Sequence, residues 1–251
     1  MILSWRVAAA MAALIFFGTG LALADLGAGP SAVSALFLVL MALPAYAALI
    51  RWLGVRRGLA LLLLLSVLPL LVEALAVLTG VPYGRFSYGG ALGPKAFGLV
   101  PWTVAVAYPP VFLASAAAAS SLAGTEARRF LPATALFALL ADLVLDPAAV
   151  RAGFWAWDAP GPYYGVPAAN FVGWAITGLL YAALFRHLVR DRFAAGETVP
   201  PSVAASAVLI FGFWAGYLLR ERLLLPAALG LFLAALFLSL PRRGGGPGPH
   251  R

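Results

Sequence analysis

Residues 59–79 read LALLLLLSVLPLLVEALAVLT. One ionisable side chain, Glu73, sits in an otherwise apolar run, and about 20 apolar residues suffice for a helix to cross a bilayer. A carboxylate in the hydrocarbon core costs several kcal/mol, so an acid at that depth is a functional hypothesis by default. The pattern recurs in residues 139–150, LLADLVLDPAAV, which hold Asp142 and Asp146. Three of the nine acidic residues of the chain therefore lie inside hydrophobic segments.

The composition agrees. Of 251 residues, 63% are hydrophobic and 10% charged, where a soluble domain carries about 25% charged residues. There are no cysteines, which removes disulfide and thiolate chemistry. The two histidines, His187 and His250, lie near a segment end and in the tail, so no metal site is expected. The net charge of +8 points to basic cytoplasmic loops rather than to a nucleic-acid partner.

The hydropathy pattern predicts an all-α integral membrane protein, a polytopic bundle of about eight transmembrane helices at 5–24, 31–50, 59–79, 97–122, 130–150, 169–185, 203–219 and 223–240. Arg220-Glu221-Arg222 cannot sit mid-bilayer and is read as a tight turn. With eight spans, 12 of the 17 Lys and Arg fall on the side of the termini: Arg6, Arg51, Arg56, Arg57, Arg128, Arg129, Arg186, Arg190, Arg192, Arg242, Arg243 and Arg251. The other side holds Arg85, Lys95, Arg151, Arg220 and Arg222. The richer side is expected to be cytoplasmic, giving a multi-pass protein of the cytoplasmic membrane with both termini inside. Arg6, the apolar run after it and Ala22-Leu23-Ala24 also fit a signal peptide, whose cleavage would leave seven spans. Residues 1–240 read as one membrane domain. Residues 241–251, PRRGGGPGPHR, read as a disordered basic tail.

The unusual residues gather on the outer side. Glu73 lies about 9 Å below its span's outer end, and Asp142 and Asp146 about 12 and 6 Å below theirs, at 1.5 Å per residue. The two aspartates are four apart and share one helix face, as do Asn170 and Trp174 at the start of the following span. Two outer loops join these spans: GVPYGRFSYGGALGPKAFG (80–98) and RAGFWAWDAPGPYYGVP (151–167). Both are dense in Gly, Pro and aromatics, a composition suited to irregular backbone folded into protein at membrane depth. The plainer alternatives are an interfacial belt for Trp155, Trp157, Tyr163 and Tyr164, headgroup pairing for Arg85, and buried pairing of an acid with an arginine.

An apolar setting favours the neutral, proton-carrying form of a carboxyl, and such an acid can donate a proton. Aromatic faces stabilise a developing cation. Acid, aromatics and a positioned water are the parts needed to protonate an alkene and trap the carbocation. They would equally serve proton-coupled transport.

The stretch from Glu73 to Trp174 resembles the carotenoid biosynthesis protein family of membrane proteins. The features are Glu73 followed by TGVPYGRF (79–86), LGPK (92–95), D-x-x-x-DP (142–147), G-x-W-x-W (153–157), YYGVP (163–167) and NF-x-GW (170–174). The outer pairs of spans match only as generic apolar helices. The resemblance implies a carotenoid 1,2-hydratase, adding water to the terminal double bond of an acyclic ψ end group, with no cofactor. It implies a lipid-dissolved carotenoid as substrate, membrane lipids as surroundings, and contact with other carotenoid-pathway membrane enzymes. Asp142 is the expected proton donor, Asp146 its relay, and Glu73 the group that orients or deprotonates water, which Asn170 would hold. Tyr83, Tyr88, Trp155, Trp157, Tyr163, Tyr164 and Trp174 would shape the pocket, and Arg85 would tune a neighbouring carboxylate.

Two other classes remain open. The DxxxD of Asp142 and Asp146 matches one aspartate motif of a Mg²⁺-dependent polyprenyl transferase, although the chain lacks a second. A carotenoid-binding or transport protein would also bury acids, although no inverted repeat is visible.

Overall fold

The computed structural model describes residues 4–23 and 31–241. Ala24 and the tail beyond Pro241 lie outside them. Among the described residues, seven helical segments are long and apolar enough to cross a membrane: α1 (Trp5–Ala22), α2 (Ser31–Leu53), α3 (Val55–Thr79), α4 (Val104–Leu122), α5 (Ala127–Arg151), α6 (Ala168–Leu188) and, after the short α7 (Arg190–Ala194), the 20 residues Pro201–Arg220, in which a 3₁₀ turn (Pro201–Ala204) runs into α8 (Ala205–Arg220). The eighth expected segment is α9, Leu224–Ser239, at 16 residues. That is about 24 Å of helix, short of a hydrocarbon core of about 30 Å. Arg220-Glu221-Arg222 forms the turn between α8 and α9.

One boundary differs. The fourth segment was expected from residue 97, but α4 starts at Val104. Lys95–Ala96 (β2) and Val100–Pro101 (β3) pair as a small antiparallel hairpin instead. Its residues are apolar enough to extend a span, but Gly98 adopts φ +70° and Pro101 cannot donate a helical hydrogen bond.

Helix α8 is the axis of the bundle, touching α1, α2, α4, α5 and α9. Gly212 and Gly216 form a GxxxG pair on the face toward α1. A Cβ at Gly216 would lie 2.2 Å from the Phe17 carbonyl oxygen, and one at Gly20 2.1 Å from that of Phe213. Glycine is required there because the two backbones touch, the mode by which small residues drive helix association in lipid.

Prolines inside helices create a further demand. Pro110 and Pro147 have no N–H for the carbonyls four residues earlier, and an unbonded carbonyl is costly at membrane depth. Tyrosines meet it in both cases. Tyr46 of α2 donates its hydroxyl to Val106 O at 2.8 Å, and Tyr163 donates to Leu143 O at 2.9 Å.

The two ends of the bundle are tied differently. At the end holding the α2–α3 turn, Arg57 donates to Asp191 at 2.6 Å and to Leu188 O. Arg192 and the Trp52 indole both donate to Glu197, at 3.0 and 2.8 Å. At the opposite end Arg151 pairs with Glu221 at 2.7 Å. There the two long loops join: Phe86–Tyr88 (β1) pairs antiparallel with Trp155–Trp157 (β4), with Phe86 opposite Trp157, Ser87 opposite Ala156 and Tyr88 opposite Trp155. Side chains alternate across a strand, so four aromatic rings share one face, while Ser87 and Ala156 are exposed on the other.

Candidate functional site

Beneath that ribbon lies a cavity of about 140 Å³. Phe86, Tyr88, Trp155 and Trp157 roof it; Glu73 comes from α3, Tyr108 from α4, Asp142 and Asp146 from α5, Asn170 and Trp174 from α6, and Ile210 and Trp214 from α8. A cavity of roughly 150 Å³ holds one benzene, so this one suits the branched end of a long chain rather than a whole polyene.

The acids are arranged by neutral partners. Asn170 Nδ2 donates to Asp142 Oδ2 at 2.8 Å and to Asp146 Oδ2 at 2.5 Å, bridging two carboxyls one helical turn apart. Trp155 lines the same cavity as Asp146 from the roof. The Tyr88 hydroxyl donates to Glu73 Oε2 at 3.1 Å. Asp142 and Asn170 are 0% and 2% exposed, yet Asp142 Oδ1 has no hydrogen-bond partner among the described residues. No lysine, arginine or histidine lines the cavity among the described residues, so none of the three acids is half of an ion pair there.

The sequence motifs acquire local reasons. Lys95 of LGPK donates to Tyr88 O at 2.6 Å, pinning the strand whose side chain holds Glu73. Gly173 of NF-x-GW faces the loop: a Cβ there would lie 2.5 Å from the Tyr83 ring. Tyr83 thereby seats against α6, donating to Thr177 Oγ1 at 3.1 Å while its carbonyl accepts from the Trp157 indole at 2.9 Å.

Nine of the twelve residues singled out from sequence line the cavity: Glu73, Tyr83, Tyr88, Asp142, Asp146, Trp155, Trp157, Asn170 and Trp174. Three do not. Arg85 is exposed and forms no ion pair with a cavity acid among the described residues. Tyr163 serves the Leu143 carbonyl. Tyr164, 37% exposed, packs edge-on against Tyr163 with ring centroids 4.9 Å apart. The Asn170 amide, expected to hold water, is occupied on its nitrogen by the two aspartates.

Sequence reasoning missed Phe86, Tyr108 and Trp214. The alternation Phe-Ser-Tyr and Trp-Ala-Trp is a strand signature that would have found Phe86. Tyr108 and Trp214 carry no local signal, each being one aromatic in an apolar helix.

Fold and site together define a polytopic helical membrane protein with an acid-lined, aromatic-roofed pocket near one face. A family model described as "Carotenoid biosynthesis protein" matches residues 29–237. The chain belongs to that family. It is similar to the bisanhydrobacterioruberin hydratase of Haloarcula japonica, 38% identical over 148 residues, which are 58% of this chain and 50% of that protein. The chain thus spans about half the length of this curated relative. No solved structure matches it.

Proposed function

We propose that the protein is a carotenoid hydratase that adds water to the terminal 1,2 double bond of an acyclic ψ end group. The observation that carries this reading is the amide-bridged acid pair under an aromatic roof, in a cavity without a cation. A diphosphate substrate would call for cations or a metal, and none of the cavity-lining residues described is basic. The resemblance to a protein named as a hydratase supports the same choice.

In the proposed reaction Asp142, in its protonated form, gives its proton from Oδ1 to C2. The alkene electron pair forms the new C–H bond and leaves a tertiary cation at C1. The rings of Trp155, Trp157 and Tyr83 face that charge. Water bonds to C1 through oxygen and releases one proton to Glu73, acting as general base. One proton is given and one recovered, so the net change is addition of one water, and turnover requires the proton to return to the aspartate pair. Asn170 fixes the geometry of that pair, and Asp146 relays the proton. The rest of the polyene lies along the helices in the bilayer. In the cell we orient both termini toward the cytoplasm, with the cavity in the outer half of the cytoplasmic membrane.

The test is expression in a host that accumulates lycopene or γ-carotene, beside Asp142→Asn, with pigments resolved by chromatography and mass spectrometry. A more polar pigment heavier by one water, absent with the variant, is the expected result. Inserted wild-type protein that yields no hydrated pigment from either substrate would overturn the reading.

A further inference from the structure

Four buried side-chain oxygens have no hydrogen-bond partner among the described residues: Tyr108 Oη, Ser121 Oγ, Asp142 Oδ1 and Tyr181 Oη. Two of them, those of Tyr108 and Asp142, belong to residues lining the cavity. A buried polar group left unpaired costs about 1–3 kcal/mol, so two around one small cavity call for an explanation.

Tyr108 is also rigidly held. It is 8% exposed, its ring stacks on Trp174 with centroids 5.7 Å apart, and Tyr181 packs edge-on against it at 5.4 Å. Its helical turn is fixed from outside, because Pro110 frees the Val106 carbonyl and Tyr46 occupies it.

We propose that Tyr108 Oη and Asp142 Oδ1, the latter as acceptor once its proton has gone to C2, together form an oxygen-binding subsite, which holds the attacking water and afterwards the tertiary hydroxyl of the product. The identity of the ligand rests on the hydratase reading. Tyr108 is then a positioning residue: its phenol accepts or donates one hydrogen bond to the oxygen that joins C1 and transfers no proton overall. An apolar end group alone would leave that phenol unpaired, so the subsite distinguishes an alcohol from a hydrocarbon.

The experiment compares wild type, Tyr108→Phe and Tyr181→Phe in detergent, using lycopene and its 1-hydroxy derivative as probes and quenching of tryptophan fluorescence as the readout. Tyr108→Phe is expected to weaken the hydroxylated probe about tenfold, the scale of one hydrogen bond, and to leave lycopene affinity unchanged. Its thermal midpoint should not fall, because the hydroxyl bonds to no described residue. Tyr181→Phe should change neither affinity. In turnover, Tyr108→Phe should lower kcat by about tenfold to a hundredfold with KM unchanged, as expected for misplacing a reactant. Equal effects on both probes, no effect on either, or a lowered thermal midpoint would overturn the proposal. Wild-type protein that binds neither probe would do the same. Wild-type protein that discriminates the probes through Tyr108 but hydrates nothing would overturn the hydratase reading and leave the subsite standing.

Discussion

The acids inside the cavity and those at the end of the α2–α3 turn are treated in opposite ways. At the end of the α2–α3 turn, Glu126, Asp191 and Glu197 each face an arginine. In the cavity near the other end, Glu73, Asp142 and Asp146 face an amide and a phenol. A guanidinium fixes a carboxylate as an anion and commits it to structure. Neutral partners orient a carboxyl while leaving it free to take up and release a proton. The difference separates acids that hold the bundle together from acids that are available for chemistry.

Breaking the arrangement in the cavity should cost most. Asp142→Asn keeps the shape and removes the acid, and hydration should fall by about a hundredfold to ten-thousandfold, read as hydrated pigment per unit protein. Asn170→Ala leaves both aspartates without their bridge. A tenfold to hundredfold loss of kcat is expected, since hydrogen bonds to charged groups are worth about 1.5–3 kcal/mol; unchanged kcat would mean that the bridge is dispensable. Tyr163→Phe strands the Leu143 carbonyl and should destabilise the fold by about 1–3 kcal/mol, visible as a lower thermal midpoint. Its affinity for carotenoid should stay near wild type, because Tyr163 is outside the cavity; a selective loss of binding would redraw the site.

The end at the α2–α3 turn should respond to pH rather than to substrate. The Arg57 guanidinium, hydrogen-bonded to Asp191, holds that carboxyl well below the usual range. Unfolded Asp titrates near 3.9. A depressed folded value adds stability that is complete above about pH 5 and is lost as pH falls through the folded value. Thermal midpoints of wild type should therefore drop on acidification below about pH 5, and those of Asp191→Asn should drop less. Both residues are substantially exposed, so at neutral pH the variant should lose only a few degrees and keep its hydration rate. Loss of activity there would erase the distinction between the two ends.

Much of this was legible in the chain because hydrophobic spans and intramembrane acids are local signals. Residues 59–79 announce α3, and the spacing of Asp142 and Asp146 places both on one face before any packing is known. The start of α4 was misjudged because Phe97, Leu99 and Val100 are apolar, while the decision lay with Gly98 and Pro101. The partners of the acids were not legible. Asn170 meets Asp142 across 28 positions and Tyr88 meets Glu73 across 15, contacts set by the packing of α5 on α6 and by the β1–β4 pairing rather than by local pattern. Arg85 is next to the motifs in sequence, yet it is exposed and outside the cavity lining. Tyr108 and Trp214 belong to helices whose apolar composition hides which face meets the cavity.

The β1–β4 ribbon works as a pair of callipers. Tyr88 and Trp155 stand opposite each other in its register, and one grips Glu73 while the other roofs the cavity that Asp146 lines. The ribbon thereby ties Glu73 of α3 to the roof over the aspartates of α5 through a three-residue strand pairing. A slip of one residue would turn the aromatic set to the opposite face and release both jaws at once.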